Sequence, residues 1–353
     1  MNSNRLAGFV VMCAILVTLA APVRVSAEPI SAQNAGKVQR LAQLKGHTGP
    51  VFSMAFSPSG RLLVSGGSAA DHSVRTWDVP GGAQRGVLSG NEKQVAAVAF
   101  SADGSHVISA GYDGTIRTFE ATQGKQLGVI NRTADQGVLT IENLVTAFNG
   151  DGTKFVYSND TGQGPYLFDV STRKQIDLAA AVPGSHEYIG PIAVNGAGSL
   201  LAVSAGTDGT IYVIDLKTAK QTAVLKPSEA SEGGGAMAFS RDGALLAVSI
   251  DGPSDIQLYD VASKKPAALL TGHKKNTNGT LAINGLAFSF DHKLLASSSF
   301  DKTIRLWDTA SGKLLATLDA SSGSGPCAVA WSPDGSIVAS ADLNGAISLW
   351  GIR

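Results

Sequence analysis

The chain has little of what usually marks a catalyst or a helical domain. Its 353 residues hold two cysteines, Cys13 and Cys327. Setting aside the first 27 residues leaves one, so no internal disulfide can form and the fold must rest on its core. Histidines number only six, and none is paired at ligand spacing. With no cysteine cluster beside them, they give no zinc motif. Cys-x-x-Cys-His is absent, which excludes covalently attached c-type haem. So is the Gly-x-Ser-x-Gly elbow of many hydrolases. The glycines at 233–235 precede a strand pattern and lack the following helix of a phosphate loop. Charged residues are 16% of the chain, with 28 basic against 28 acidic. There is thus no basic excess to hold nucleic acid or an anionic membrane. Beyond residue 27, no stretch carries a convincing helical period.

A long apolar run occurs once, as LAGFVVMCAILVTLAA. It follows Arg5 and leads to small residues ending at Ala27. A spanning helix wants about 20 apolar residues, and this run is shorter. The pattern is that of a secretory signal peptide over 1–27. Met12 is too large for lipoprotein cleavage before Cys13. Export to the periplasm or the extracellular space is expected, with a mature chain that starts near Glu28 and makes no stable membrane insertion. Removing Arg5 and Arg24 leaves 26 basic against 28 acidic residues. Residues 28–37 read as a short linker and 38–353 as one domain. Cys327 lies in the apolar stretch PCAVAW and reads as a buried, inert thiol.

What the chain has is glycine, 41 residues of it, and a repeat. Seven stretches share one plan. Each begins with an apolar strand ending in Ala-Phe or its equivalent, as at Ala55-Phe56 and Ala287-Phe288. A four-residue turn such as SPDG or SADG follows, with hairpin chemistry. A second apolar strand ends in small residues, and a third closes on Trp77, Phe119, Phe168, Ile214, Tyr259, Trp307 or Trp350. These closing residues are 42 to 49 apart. Six copies are followed by a fourth strand, such as KLLATL after Trp307. The seventh is not: only Gly351 to Arg353 remain. Conversely, VQRLAQLKGH near the start is a fourth strand with no copy before it. Val38 to Leu44 is therefore expected to pair beside the strand at 346–350 and close a ring. First strands alternate large residues (Met54, Val98, Leu286) with small ones (Ala97, Gly285), so each sheet needs a neighbour on both faces.

This plan resembles the WD-repeat β-propellers. Gly46-His47 and Gly272-His273 match that family's start signal, and Trp77-Asp78 and Trp307-Asp308 its end signal. The resemblance implies an all-β, seven-bladed propeller of four-stranded antiparallel blades. It also implies a hydrogen-bonded tetrad bracing a blade. Only the sixth copy carries all four members in register, as His273, Ser297, Asp301 and Trp307. The first has His47, Asp71 and Trp77, with an insertion obscuring the serine. The second keeps Ser109 and Asp113, the fourth Ser204 and Asp208, and the seventh Ser340, Asn344 and Trp350.

A propeller does not fix a function. Asp103, Asp151, Asp242 and Asp334 precede turn glycines and need no calcium to explain them. The innermost strands are Ala, Val, Met and Ser, not the acidic residues a channel metal site would want. No enzyme activity and no cofactor is expected. The resemblance implies a monomeric scaffold that binds a protein partner through the loops of one face, the top. Candidate contact residues there are Arg132, Glu142, His186, Tyr188, Lys274 and Lys275. The alternative is an enzyme or cofactor-associated subunit with a site at the mouth of the central channel. Lysines repeat on the opposite face, as at Lys125, Lys217 and Lys313, where they protect turns and strand edges.

Overall fold

A computed structural model describes residues 28–79, 81–131, 145–158, 164–183, 189–206, 208–226, 235–250, 254–274, 283–320 and 325–353. Among them are seven four-stranded antiparallel sheets and no α-helix. Six sheets are meanders of consecutive strands. The seventh takes its outer strand, Gln39–Leu44, from the start of the chain and pairs it with Ile347–Gly351 at the other end. The register runs from Gln39 opposite Gly351 to Leu44 opposite Ile347. The chain therefore closes on itself as a seven-bladed propeller.

The blades form where they do because their turns are specified locally. In all seven, the first residue of the turn after the innermost strand is Ser or Asn. Its side-chain oxygen accepts the amide five residues on, at 2.9–3.0 Å, from Ser57 with Leu62 to Ser332 with Ile337. The fourth residue of each turn has a left-handed backbone. Six blades use glycine, at φ from 65° to 76°, and the sixth uses His292, at 63°. A side chain there costs roughly 1 kcal/mol or more. His292→Gly is therefore expected to stabilise the protein by about 0.5–1 kcal/mol, since the half-exposed pair it makes with Asp242 is worth little. The midpoint of urea unfolding reads this out; a lower midpoint would mean the Asp242 contact outweighs the backbone strain.

Packing between blades supplies the core. Seven apolar clusters are present among the described residues, one at each blade-to-blade junction. Val64 and Leu88 of blade 1, for example, meet Val98 and Phe119 of blade 2. Blades 7 and 1 meet through Ile347, Leu349 and Trp77, and Leu44 of the closing strand joins that cluster.

Residues 28–37, expected as a linker, are docked. Ile30 and Ala35 are buried with Val38 between blades 6 and 7, beside Leu318 and Trp331. The amide of Ile30 donates to the carbonyl of Gly335, and Asn34 ties Glu28 and Pro29 into a compact turn. No helix among the described residues is long and apolar enough to cross a membrane.

Candidate functional site

Because strands alternate direction, the loop before each innermost strand and the loop between its second and third strands lie at the same end of the blade. This is the top face, where the candidate contact loops belong. In blades 1 and 6 a buried polar chain ties these two loops together. In blade 6, the Trp307 indole N–H donates to Ser297 Oγ at 2.8 Å. Ser297 Oγ lies 2.7 Å from His273 Nε2, and His273 Nδ1 lies 2.8 Å from Asp301 Oδ2. Asp301 also accepts the Thr303 hydroxyl and the Lys274 amide. All four tetrad side chains are buried, with Ser297 at 0% exposure.

One assignment of protons satisfies every member. Trp307 donates to Ser297, Ser297 donates to Nε2 of a neutral His273, and Nδ1–H of His273 donates to the Asp301 carboxylate. A doubly protonated histidine would direct a second donor at the serine and leave the serine hydroxyl without an acceptor.

Blade 1 has the same chain, complete. Trp77 donates to Ser65 at 2.8 Å, Ser65 lies 2.7 Å from His47 Nε2, and His47 Nδ1 contacts Asp71. The sequence obscures Ser65 because Ser-to-Asp spacing is longer here than in blade 6. The extra residues swell the loop and leave the ladder untouched. Leu63 pairs with Trp77 as Leu295 pairs with Trp307, and in each blade the serine stands two residues beyond that partner. Burial, the dominant effect, holds the His47 pKa below its ordinary value, opposed by the Asp71 contact. This agrees with the neutral ring the hydrogen bonds require.

Other blades keep fragments. In blade 7, Trp350 donates to Ser340 at 2.8 Å. In blade 2, Asn91 replaces the histidine, and Ser109 reaches its Oδ1 at 3.5 Å. Ser204 of blade 4, expected to keep the pattern, stands one residue out of step. Leu201 pairs with Ile214, so Val203 occupies the serine position, and Ser204 Oγ is buried without a partner among the described residues. Blades 3 and 5 use aromatic substitutes. Phe148, Phe155, Tyr157 and Tyr166 form a continuous ring-to-ring series across blade 3. In blade 5, the hydroxyl of buried Tyr259 donates to the Lys226 carbonyl at 3.1 Å.

Of the expected partner-binding residues, Lys274 is exposed at the top of blade 6, its backbone fixed on Asp301. Arg132, Glu142, His186, Tyr188 and Lys275 lie outside the described residues. The innermost strands of all seven blades enclose a channel of about 720 Å³. Its described lining is mostly Ala, Gly, Val, Ile, Leu, Met and Phe, with a few amides and hydroxyls such as Asn149, Asn284 and Ser53, and includes no carboxylate or histidine. No group of three His, Cys, Asp or Glu side chains that could hold a metal occurs among the described residues.

Cys327 also lines the channel but is buried, its thiol directed at the carbonyls of Val51 and Ala341. Burial first, and Asp342 second, push its pKa up to about 12. Thiolate is the reactive form. The native protein should therefore react with a disulfide reagent only as fast as it unfolds. A rapid burst of one equivalent would contradict this.

The repeat described as "WD domain, G-beta repeat" matches residues 38–78, 82–120, 264–308 and 312–351. The chain is similar to "Protein tipD" of Dictyostelium discoideum, at 25% identity over 86% of this chain and 47% of that protein. It is similar to "WD repeat-containing protein 26 homolog" of Arabidopsis thaliana, at 24% over 88% of this chain and 50% of that protein. A third relative is "DDB1- and CUL4-associated factor 13" of Dictyostelium discoideum, at 26% over 81% and 62%. The chain spans about half the length of the first two.

Proposed function

This chain is a seven-bladed propeller that carries four WD repeats, and on that premise we propose that it is an exported, non-catalytic scaffold that binds a protein partner through its top-face loops. The observation that carries the reading is the bracing of those loops. In blades 1 and 6 the His–Asp contact joins the loop before the innermost strand to the loop between the second and third strands. Loops held in this way lose little entropy when a partner docks. The non-catalytic part of the reading is supported by the channel lining, which offers no carboxylate or histidine among the described residues. Export is supported by the sequence pattern of 1–27.

The deciding experiment is crosslinking of the exported protein in its own cell. A photo-crosslinker at Lys274 should capture one defined protein, and the same group at Lys217, on the opposite face, should not capture that protein. Capture of nothing at Lys274, or of the same species at both positions, would overturn the top-face reading. Stoichiometric metal in the purified protein would favour the channel-site alternative instead. N-terminal sequencing should begin at or near Glu28; an intact Met1 would remove the export part of the proposal.

A further inference from the structure

The bottom face is ringed by the seven turns that follow the innermost strands. Their second positions are small or rigid in five blades: Pro58, Ala102, Gly150, Gly196 and Pro333. Blades 5 and 6 differ, with Arg241 and Phe290. These two side chains meet across the blade boundary, the guanidinium carbon of Arg241 lying 3.9 Å from the centroid of the Phe290 ring. Both are exposed, Phe290 at 48%.

Three features make this pair unlike a chance surface contact. First, Arg241 is held from both sides. Its head rests on Phe290, and its stem lies over Gly196 of blade 4, where a Cβ would come within 2.8 Å of Arg241 Cγ. Second, the guanidinium has no hydrogen-bond or ion-pair partner among the described residues, although two carboxylates stand next to the pair in sequence. Those are already engaged. Asp242 accepts Ser240 Oγ and the Ala244 amide and contacts His292 at 3.2 Å. Asp291 accepts Ser289 Oγ and the Lys293 amide and lies 3.6 Å from Lys293 Nζ. Third, a large aromatic remains half in water beside that cation. A fixed guanidinium with its fork of N–H donors unpaired is suited to a carboxylate. Arginine beside an exposed aromatic is also the composition that dominates protein–protein hot spots.

We propose that the stacked Arg241–Phe290 pair is a second docking site, on the bottom face, for an extended acidic segment of a partner protein. A partner carboxylate takes the N–H edge of Arg241, and a neighbouring apolar side chain packs on Phe290. The immobilised guanidinium loses little further freedom on binding. The site does not depend on the top-face reading, and either can fail alone.

The test is fluorescence anisotropy with a fluorescein-labelled peptide, Glu-Leu-Glu-Phe-Glu-Leu, and its Gln-for-Glu counterpart. Saturable binding of the acidic peptide is expected, weakened about tenfold or more by Arg241→Gln, by Phe290→Ser and by the Gln peptide, a factor equivalent to about 1.4 kcal/mol. Arg241→Lys keeps the charge but loses the planar fork, so an intermediate loss is expected. Lys125→Ala, on the same face but in blade 2, should leave binding unchanged. Melting temperatures of all variants separate docking from folding. No saturable binding, equal affinity for both peptides, or equal losses from Lys125→Ala and Arg241→Gln would overturn the proposal. So would a lowered melting temperature for Arg241→Gln with unchanged peptide affinity, which would make the pair a fastener between blades and nothing more.

Discussion

Deletion of residues 38–44 is expected to destabilise the whole disc, not one blade. Leu44 is 1% exposed and packs at the junction of blades 7 and 1; Leu41 is also buried, and Val38 packs between blades 6 and 7. Each such side chain contributes about 1.5–3 kcal/mol by burial, so the three together supply roughly 5–9 kcal/mol, against the roughly 5–15 kcal/mol typical of a native domain. The deletion also strips Ile347–Gly351 of its outer partner and opens the ring. A fall in melting temperature of roughly 10 °C or more is expected from the usual conversion. Docking of Ile30 and Ala35 is lost with it, since Val38 anchors that turn. A milder change, Arg40→Ala, removes a cation held 5.9 Å from the Trp350 ring and should cost under about 1 kcal/mol. Calorimetry distinguishes the two. If the deletion left the transition unchanged, closure by the N-terminal strand would not hold the ring.

The second large effect lies in the tetrads. Ser297→Ala removes a hydroxyl that serves two buried partners, Trp307 Nε1 and His273 Nε2. Leaving a buried polar group unpaired costs about 1–3 kcal/mol, so a loss of roughly 2–4 kcal/mol is expected. Ser65→Ala should match it in blade 1. Ser340→Ala removes the acceptor of Trp350 in a blade that has no histidine, and should cost about half as much. Equal losses at Ser297 and Ser340 would mean that the histidine takes no hydrogen bond from the serine.

These chains also set the response to acid. His47 titrates below its ordinary 6.5 in the folded protein because burial disfavours its charged form. The unfolded chain therefore takes up a proton first. The stabilisation from neutral His47 is complete above about pH 6.5 and declines as pH falls through and below that value. Asp301 shows the opposite balance of causes. Burial alone would raise its pKa, but hydrogen bonds from His273, Thr303 and the Lys274 amide overcome it and hold the carboxyl well below 3.8. Its contribution is complete above about pH 3.8 and is lost on further acidification. Melting temperature should thus fall in two stages. His47→Asn, which copies the residue at the equivalent place in blade 2, should be less stable at pH 8 and lose the first stage. A variant with the full wild-type pH dependence would place that stage elsewhere.

Much of this architecture is legible in the chain's own pattern, and the boundary of what is legible is physical. Turn residues act over four or five positions, so Ser101, Asp103 and Gly104 announce their hairpin within the sequence itself. Blade 6 is legible because its tetrad members keep regular spacing. Ser65 is not, because a loop insertion changes sequence spacing without changing which residues face each other in the ladder. Ser204 misleads for the converse reason: a serine at a reasonable spacing points to the wrong face when it is one step out of register. Residues 28–37 carry no strand pattern, so nothing local indicates that Ile30 and Ala35 are buried.

The sequence by itself determined the number of blades, their strand order and the need for a closing strand. All three follow from period-two apolar patterning and turn chemistry, which are properties of short segments. Only the tertiary structure decided which polar groups meet. The complete tetrad of blade 1, the docked N-terminal turn and the stacking of Arg241 on Phe290 each join residues of different strands or blades. Such contacts depend on register and on the curvature that brings seven sheets round to meet, and no run of neighbouring residues encodes either.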